Sequence, residues 1–153
     1  MFNQTFGKVP EIMSTRCGIA LENDNGSYTF AYCHNDGYPS WVGRILLDRY
    51  TDRGSVEKLV ALGAMSSLGP IPADSDRPPA GVDAGDCCLV YHEPNHTAEN
   101  LERLTGLFAD YWSGCEFLYL FRRGWGWDCF NPYLHETSTL IEAVERDENE
   151  HSD

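Results

Sequence analysis

Apolar and polar residues alternate on both sides of a short polar turn near the start of the chain. Every second position is apolar, namely Cys17, Ile19 and Leu21 before the turn and Tyr28, Phe30 and Tyr32 after it. A period of two is typical of strands with one buried face. The intervening Asn23-Asp24-Asn25-Gly26 supplies residues that tolerate the positive φ angles of hairpin turns. The pattern therefore predicts a β-hairpin over residues 16–32.

Four later segments space their apolar residues three and four positions apart, as amphipathic helices do. Their expected inward faces are Trp41, Ile45, Leu46 and Tyr50; Val56, Leu59, Val60 and Leu62; Leu101, Leu104, Phe108 and Tyr111; and a weaker set within residues 137–145. Ser40, Ser55 and Thr97 are expected as N-caps of the first three helices, because Ser and Thr side chains accept hydrogen bonds from the first turn.

Three further segments are rich in strand-forming residues, and they cover residues 87–91, 115–121 and 125–130. Arg122-Arg123-Gly124 joins the last two as a second hairpin. The resulting order, ββααβαββα, differs from that of a doubly wound parallel sheet. It predicts an α+β fold: a single domain with a largely antiparallel sheet of about five strands and three to four helices packed on it.

Length and local composition suggest how this domain is bounded. The 153 residues fit one domain, which we expect to span residues 13–141. Residues 1–12 show no period and are expected as a loosely ordered N-terminal extension. Residues 69–86 combine four prolines with four aspartates, which predicts a flexible surface loop. Residues 142–153 are expected as an acidic tail.

The charge balance narrows the possible partners. Twenty-four acidic residues against eleven basic ones give a net charge of −13. Such a surface repels nucleic acid and acidic membranes, so we expect direct binding to neither. It suits a basic partner, such as the nucleic-acid channel of another protein.

Targeting and cofactor signals are lacking in the sequence. No apolar run reaches the length of a membrane span and no secretion signal opens the chain, so the expected location is the cytoplasm. The six cysteines form no CxxC pair and are expected as free thiols. No glycine-rich nucleotide-binding motif or nucleophile elbow is present, and we expect no cofactor.

The densest group of reactive side chains lies in the segment Tyr32–Pro39, where His34 and Asp36 are candidates for acid–base chemistry. Cys33 is a conceivable nucleophile, but neighbouring strand residues point to opposite faces, so a Cys33–His34 dyad is not expected. Turn chemistry accounts for the same residues: His34 and Asp36 would bond the backbone, and Gly37 would supply a positive φ.

Residues 92–96 read His-Glu-Pro-Asn-His and match the zinc-binding pattern HExxH. That motif needs a helix, which places both histidines on one metal. Pro94 interrupts any such helix, so a metalloprotease site is not expected. His92 and His96 remain weak metal-ligand candidates, and a polar loop is the favoured interpretation.

Two groups of residues are candidates for binding another protein. The first is the set of aspartates in the proline-rich loop: Asp74, Asp76, Asp83 and Asp86. The second is Trp125 and Trp127, which alternation places on one face beside two arginines. Exposed, these tryptophans would form a recognition patch with stacking and cation–π capacity. Buried, they would be ordinary core residues.

The chain resembles a family of small phage and prophage proteins. The resemblance covers roughly residues 13–69, with a weaker match near 115–130, and is most specific in Tyr-Cys-His-Asn-Asp-Gly-Tyr-Pro at residues 32–39. Further matching segments are Ser14-Thr15-Arg16, Asn25-Gly26, Val42-Gly43, Leu46-Leu47, Tyr50-Thr51-Asp52, Leu62-Gly63 and Ser66-Ser67-Leu68-Gly69. The resemblance implies a mobile-element origin and an accessory role, anti-defence and anti-CRISPR action included. It implies no particular reaction.

Two hypotheses of function follow. The favoured one is a non-enzymatic protein that binds and inhibits a host protein, in particular a defence effector that itself binds nucleic acid. The alternative is a small-ligand or nucleotide binder, or a hydrolase, that uses His34 and Asp36 together with His92, Glu93 and His96. It requires those groups to meet in one concave pocket.

Overall fold

The computed structural model describes residues 14–150, and an eight-stranded mixed sheet runs through them. The strands are β1 (Cys17–Glu22), β2 (Tyr28–Cys33), β3 (Met65–Ser67), β4 (Leu89–Val90), β5 (His96–Ala98), β6 (Phe117–Arg122), β7 (Gly126–Asn131) and β8 (Glu136–Thr139). Their order across the sheet is β4-β3-β2-β1-β6-β7-β8, and β5 pairs with a separate part of β2.

Four α-helices lie within the described residues: α1 (Arg44–Arg49), α2 (Arg53–Ala61), α3 (Leu101–Ala109) and α4 (Leu140–Glu150). A π-helical turn, Pro39–Gly43, leads directly into α1. Gly43 lies in this turn, where an added Cβ would come within 3.1 Å of the side chains of Leu140 and Val144. A larger residue there would push the turn away from α4.

The α+β class and both hairpins are confirmed, but the predicted sheet is wrong in two respects. It has eight strands instead of about five, and it is mixed instead of largely antiparallel. The unpredicted strands β3, β5 and β8 have three or four residues each, too few to show a period. Both parallel pairings, β1 with β6 and β2 with β3, join segments distant in sequence, which local patterns do not reveal.

Helices cover both faces of the sheet and create two cores. On one face, Ile19 and Tyr119 pack with buried residues of α1, α2 and α4. On the other, Phe30 and Leu118 pack with Phe108 of α3. The centre of the sheet is therefore buried on both sides, although the hairpin alternation alone predicts one buried face.

Some predicted helix starts and inward residues are wrong. Thr97 lies in strand β5, and α3 is capped instead by Asn100, whose side chain accepts a hydrogen bond from the amide of Arg103 at 2.8 Å. Helix α2 is capped by Asp52, which accepts from the amide of the expected cap, Ser55.

The first predicted helix also starts differently. Ser40 lies inside the π-helical turn, and its amide donates to the carboxylate of Asp147 at 2.8 Å instead of opening a helix. Trp41 in the same turn is 52% exposed and does not face the core. Tyr111, expected on the inner face of α3, follows that helix and is also exposed.

The acidic segment at residues 142–150 is part of the packed structure and not a tail. Thr139 and Glu142 form a reciprocal capping box at the start of α4, with hydrogen bonds of 3.2 Å in both directions. Ala143 and Val144 then bury their side chains against the sheet. The predicted extension 1–12 and residues 151–153 lie outside the described residues.

Gly37 packs closely against the start of strand β1 and is hydrogen-bonded to β6. Its amide donates to the carbonyl of Thr15 at 2.8 Å, and its carbonyl accepts from the buried Tyr119 hydroxyl at 2.6 Å. The predicted positive φ is wrong for Gly37 and belongs to Asp36, at 58°. Gly37 is required by space: an added Cβ would lie 2.8 Å from the Thr15 oxygen and 2.9 Å from the Cys17 Cβ.

We expect Gly37→Ala to lower the free energy of unfolding by about 1–3 kcal/mol, because strand β1 cannot move away from the added methyl group. Gly106→Ala is the matched control: an added Cβ there meets nothing within 4 Å, inside helix α3. It should raise stability by about 0.5–1 kcal/mol. Urea unfolding of both variants measures the two changes, and an unchanged Gly37→Ala protein would contradict this packing.

Candidate functional site

His34 and Asp36 do not form an acid–base pair. The Nδ1 atom of His34 lies 2.7 Å from the Tyr32 hydroxyl and 3.4 Å from Nε of Arg16, which donates to it. Asp36 is exposed and is not among the partners that the described residues provide for His34. Cys33 is buried in the core on the α1 side, whereas the His34 ring contacts Tyr32 and Arg16.

The two histidines of the HExxH match point to different partners. Nε2 of His92 lies 2.6 Å from a carboxylate oxygen of Asp74 and 3.7 Å from one of Asp76. His96 belongs to strand β5, and its ring contacts those of Phe30 and Trp112. The residues therefore lack the shared helix face of a zinc protease, as the proline predicts.

Asp74, Asp76 and His92 bring two predicted groups together at one point. One ligand atom from each lies within 4.8 Å of the others, so the three can contribute to a divalent-cation site completed by water. Asp74 also accepts the amide of Asp76 at 2.9 Å. That hydrogen bond, followed by the contact with His92, lowers the pKa of Asp74. This cluster links the proline-rich loop to the segment that follows β4.

Asp83 and Asp86 lie elsewhere: they flank residues 84 and 85, which line an apolar groove of about 330 Å³. Trp41 and Leu89, each 52% exposed, line this groove. Leu68 and Cys87 line it as well, and so does the turn at residues 84–85 between the two aspartates. We call this feature the Trp41 groove. The sequence analysis predicted that Trp41 faces inward, and it therefore did not indicate this groove.

Trp125 and Trp127 have opposite environments, so the prediction of a shared strand face is wrong. Trp127 is buried, and its indole N–H donates to the Tyr50 carbonyl at 2.8 Å. Trp125 precedes β7 and is 68% exposed, with its indole N–H bonded to Asp128. It lines a shallow surface depression with Arg122 and Arg123. A recognition patch here has one tryptophan, not two.

Another concavity places Glu93 and His96, which the alternative hypothesis groups, beside residues that the sequence did not connect with them. It measures about 490 Å³, and its lining includes Tyr32, Glu93, His96 and Trp112. Trp112 was not a candidate, because its position depends on the left-handed backbone of its neighbours. We call this feature the Trp112 concavity.

Comparison with known proteins identifies no relative: no family model, curated protein or solved structure matches the chain. Among residues 14–150, no helix has both the length and the apolar character needed to cross a membrane.

Cysteine chemistry is suppressed by burial. All six thiols are free and buried. Burial raises the pKa of Cys115 and Cys129 to about 12. It also raises the pKa of Cys17 and Cys88. These thiols are therefore protonated at neutral pH and are poor nucleophiles.

We expect iodoacetamide at pH 8 to label the folded protein slowly and to label all six cysteines after denaturation. Mass spectrometry counts the labelled thiols. Fast labelling of one cysteine in the folded protein would reveal an accessible thiolate and contradict this conclusion.

The Asp74 contacts should stabilise the fold in a pH-dependent way. A lowered carboxyl pKa stabilises the folded state above the unfolded-state value, and that contribution disappears as the pH falls through the folded-state value. The stability difference between wild type and Asp74→Asn should therefore shrink as the pH falls below the ordinary value of 3.8. Urea unfolding between about pH 2 and 5 measures it. A difference that stays constant through this range would contradict the role of the charge.

Proposed function

We propose that this protein binds a basic surface of another protein through the Trp41 groove and its aspartate rim. The observation that carries the proposal is the pair of exposed apolar side chains, Trp41 and Leu89, in one concave surface. Large exposed apolar side chains that line one groove commonly mark an interaction site.

The arrangement matches the usual anatomy of a protein interface. Such interfaces have an apolar centre, often with tryptophan, inside a polar rim. Here Asp83 and Asp86 are exposed beside the groove. Asp83 accepts the amide of Gly85 at 2.9 Å, which orders the turn between them. The rim therefore has a defined shape before any partner arrives.

Charge favours a basic partner for this surface. Residues 69–86 hold four aspartates and one arginine, and the whole chain has a net charge of −13. A negative surface of this kind accelerates encounter with a positive one and competes with nucleic acid for it. The expected partner is thus a host protein whose basic surface binds nucleic acid.

The resemblance to small phage and prophage proteins supports a biological setting for this activity. In that setting the protein acts in the cytoplasm of a host cell and inhibits a defence effector, as anti-CRISPR proteins do. This part of the proposal depends on the resemblance and on charge, not on a catalytic group.

Small-ligand binding is the second candidate, favoured by the Trp112 concavity. Of the five residues in the alternative hypothesis, Glu93 and His96 line that concavity. His92 instead contacts Asp74, and His34 contacts Tyr32 and Arg16. The residues therefore support binding better than hydrolysis.

The first proposal is tested with the immobilised full chain in bacterial host lysate. We expect a partner that is retained at about 0.05 M salt and released at about 0.5 M salt, because salt screens exposed charges. Added double-stranded DNA should release it too. A partner that resists both, or no partner at low salt, would contradict the proposal.

Variants locate the surface responsible. Trp41→Ala, and separately Asp83→Asn with Asp86→Asn, should each reduce retention about tenfold or more. The control pair Glu99→Gln with Glu102→Gln neutralises two exposed carboxylates next to and within α3. Equal losses in the control and the rim variants would show that net charge, and not the Trp41 groove, determines binding.

A further inference from the structure

The Trp112 concavity lies on the opposite side of the sheet from helices α1, α2 and α4. Its lining combines three aromatic residues, Tyr32, His96 and Trp112, with one acidic residue, Glu93. Ala64, Pro94 and Ser113 complete the lining. Glu93 is the acidic residue of this lining, and neither lysine nor arginine is part of it.

The ring of Trp112 is nearly perpendicular to both of its neighbours in the concavity. The ring of Trp112 makes an angle of 80° with Tyr32 and of 78° with His96, at centroid distances of 6.2 and 5.1 Å. Phe30 packs behind Trp112 at 5.1 Å. Aromatic faces carry partial negative charge and attract cations, most strongly when a carboxylate lies nearby.

The backbone around Trp112 adopts an unusual conformation. Tyr111 and Ser113, on either side of it, both have left-handed φ angles, 57° and 53°. Non-glycine residues adopt this conformation at an energetic cost, and such residues are concentrated at binding sites. These two residues set the position of Trp112 just after helix α3 ends, where left-handed residues are common.

Hydrogen bonds also fix the position of Tyr32. Its hydroxyl is bonded to Nδ1 of His34, which in turn accepts from Arg16. The hydroxyl is therefore already engaged, and Tyr32 offers its ring to a ligand. Arg16 is the cation of this network, but it lies outside the lining of the concavity.

We propose that the Trp112 concavity binds a guanidinium group, the chemistry of an arginine side chain. The planar guanidinium stacks on Trp112, while its N–H groups donate to the Glu93 carboxylate. The group can come from an arginine of a partner protein or from a small arginine-like molecule. This site is separate from the Trp41 groove, and the proposal stands whether or not that groove binds a partner.

The test follows backbone amide and indole N–H resonances of the full chain by NMR during titration. Arginine amide is the probe, and citrulline amide is its control, because its ureido side chain is uncharged and has nearly the same shape as the guanidinium. We expect saturable shifts at Trp112 and Ser113 with arginine amide, and shifts at least about tenfold smaller with citrulline amide at equal concentration. Equal responses, shifts that map elsewhere, or no saturation up to about 50 mM would overturn the proposal.

Two variants test the assigned contacts. Glu93→Gln should weaken arginine amide binding about tenfold, because the carboxylate charge is lost while the shape remains. Trp112→Leu should abolish it, but Trp112 also packs on Phe108 and its loss can destabilise the fold. Glu93→Gln is therefore the decisive variant. Glu99→Gln, which neutralises an exposed carboxylate elsewhere, is its control. An unchanged dissociation constant in Glu93→Gln would overturn the proposal.

A peptide distinguishes the two sources of guanidinium. Tighter binding of acetyl-Gly-Arg-Gly-amide than of arginine amide supports an arginine borne by a protein. Equal binding of the two supports a small molecule. Either result requires that the concavity binds a guanidinium group. If neither ligand binds, the proposal is overturned.

Discussion

Strand β1 lies at the centre of the sheet and is buried on both faces from Cys17 to Leu21. It pairs antiparallel with β2 and parallel with β6, so it joins the two hairpins into one sheet. If either face of β1 were exposed to water, the folded state would lose about 25 cal/mol of stabilisation for each Å² of apolar surface exposed. Helices on both sides are the consequence, and their positions follow from this central strand.

The double burial also explains the chemistry of the Tyr32–Pro39 segment. This segment leaves the sheet beside β1, and Gly37 is pressed against Thr15 and bonded to the Tyr119 hydroxyl. Its reactive residues are therefore arranged by packing: Cys33 faces the core, and the His34 imidazole contacts Tyr32 and Arg16. A stretch whose residue types resemble those of a catalytic site is therefore the junction between strand β2 and the π-helical turn.

Both proposed binding surfaces lie where helices no longer cover the sheet. The Trp41 groove forms between the start of α1 and edge strand β4, and the Trp112 concavity forms beside β5 after α3 ends. Each combines aromatic residues with nearby acidic ones: Asp83 and Asp86 flank residues that line the groove with Trp41, and Glu93 lines the concavity with Trp112. In a chain of net charge −13, this combination favours cationic groups at both places.

Periodicity and composition report local structure and total charge, so they were sufficient to predict the α+β class, both hairpins, the buried face containing Ile19 and the acidic charge. The three-dimensional structure was needed to reveal the parallel pairing of β1 with β6, the contact between Asp74 and His92, and the exposure of Trp41. Each depends on segments distant in the chain, and their relative positions are set by the joint burial of both sheet faces. Tertiary packing likewise buries Trp127 but leaves Trp125, two residues earlier, exposed.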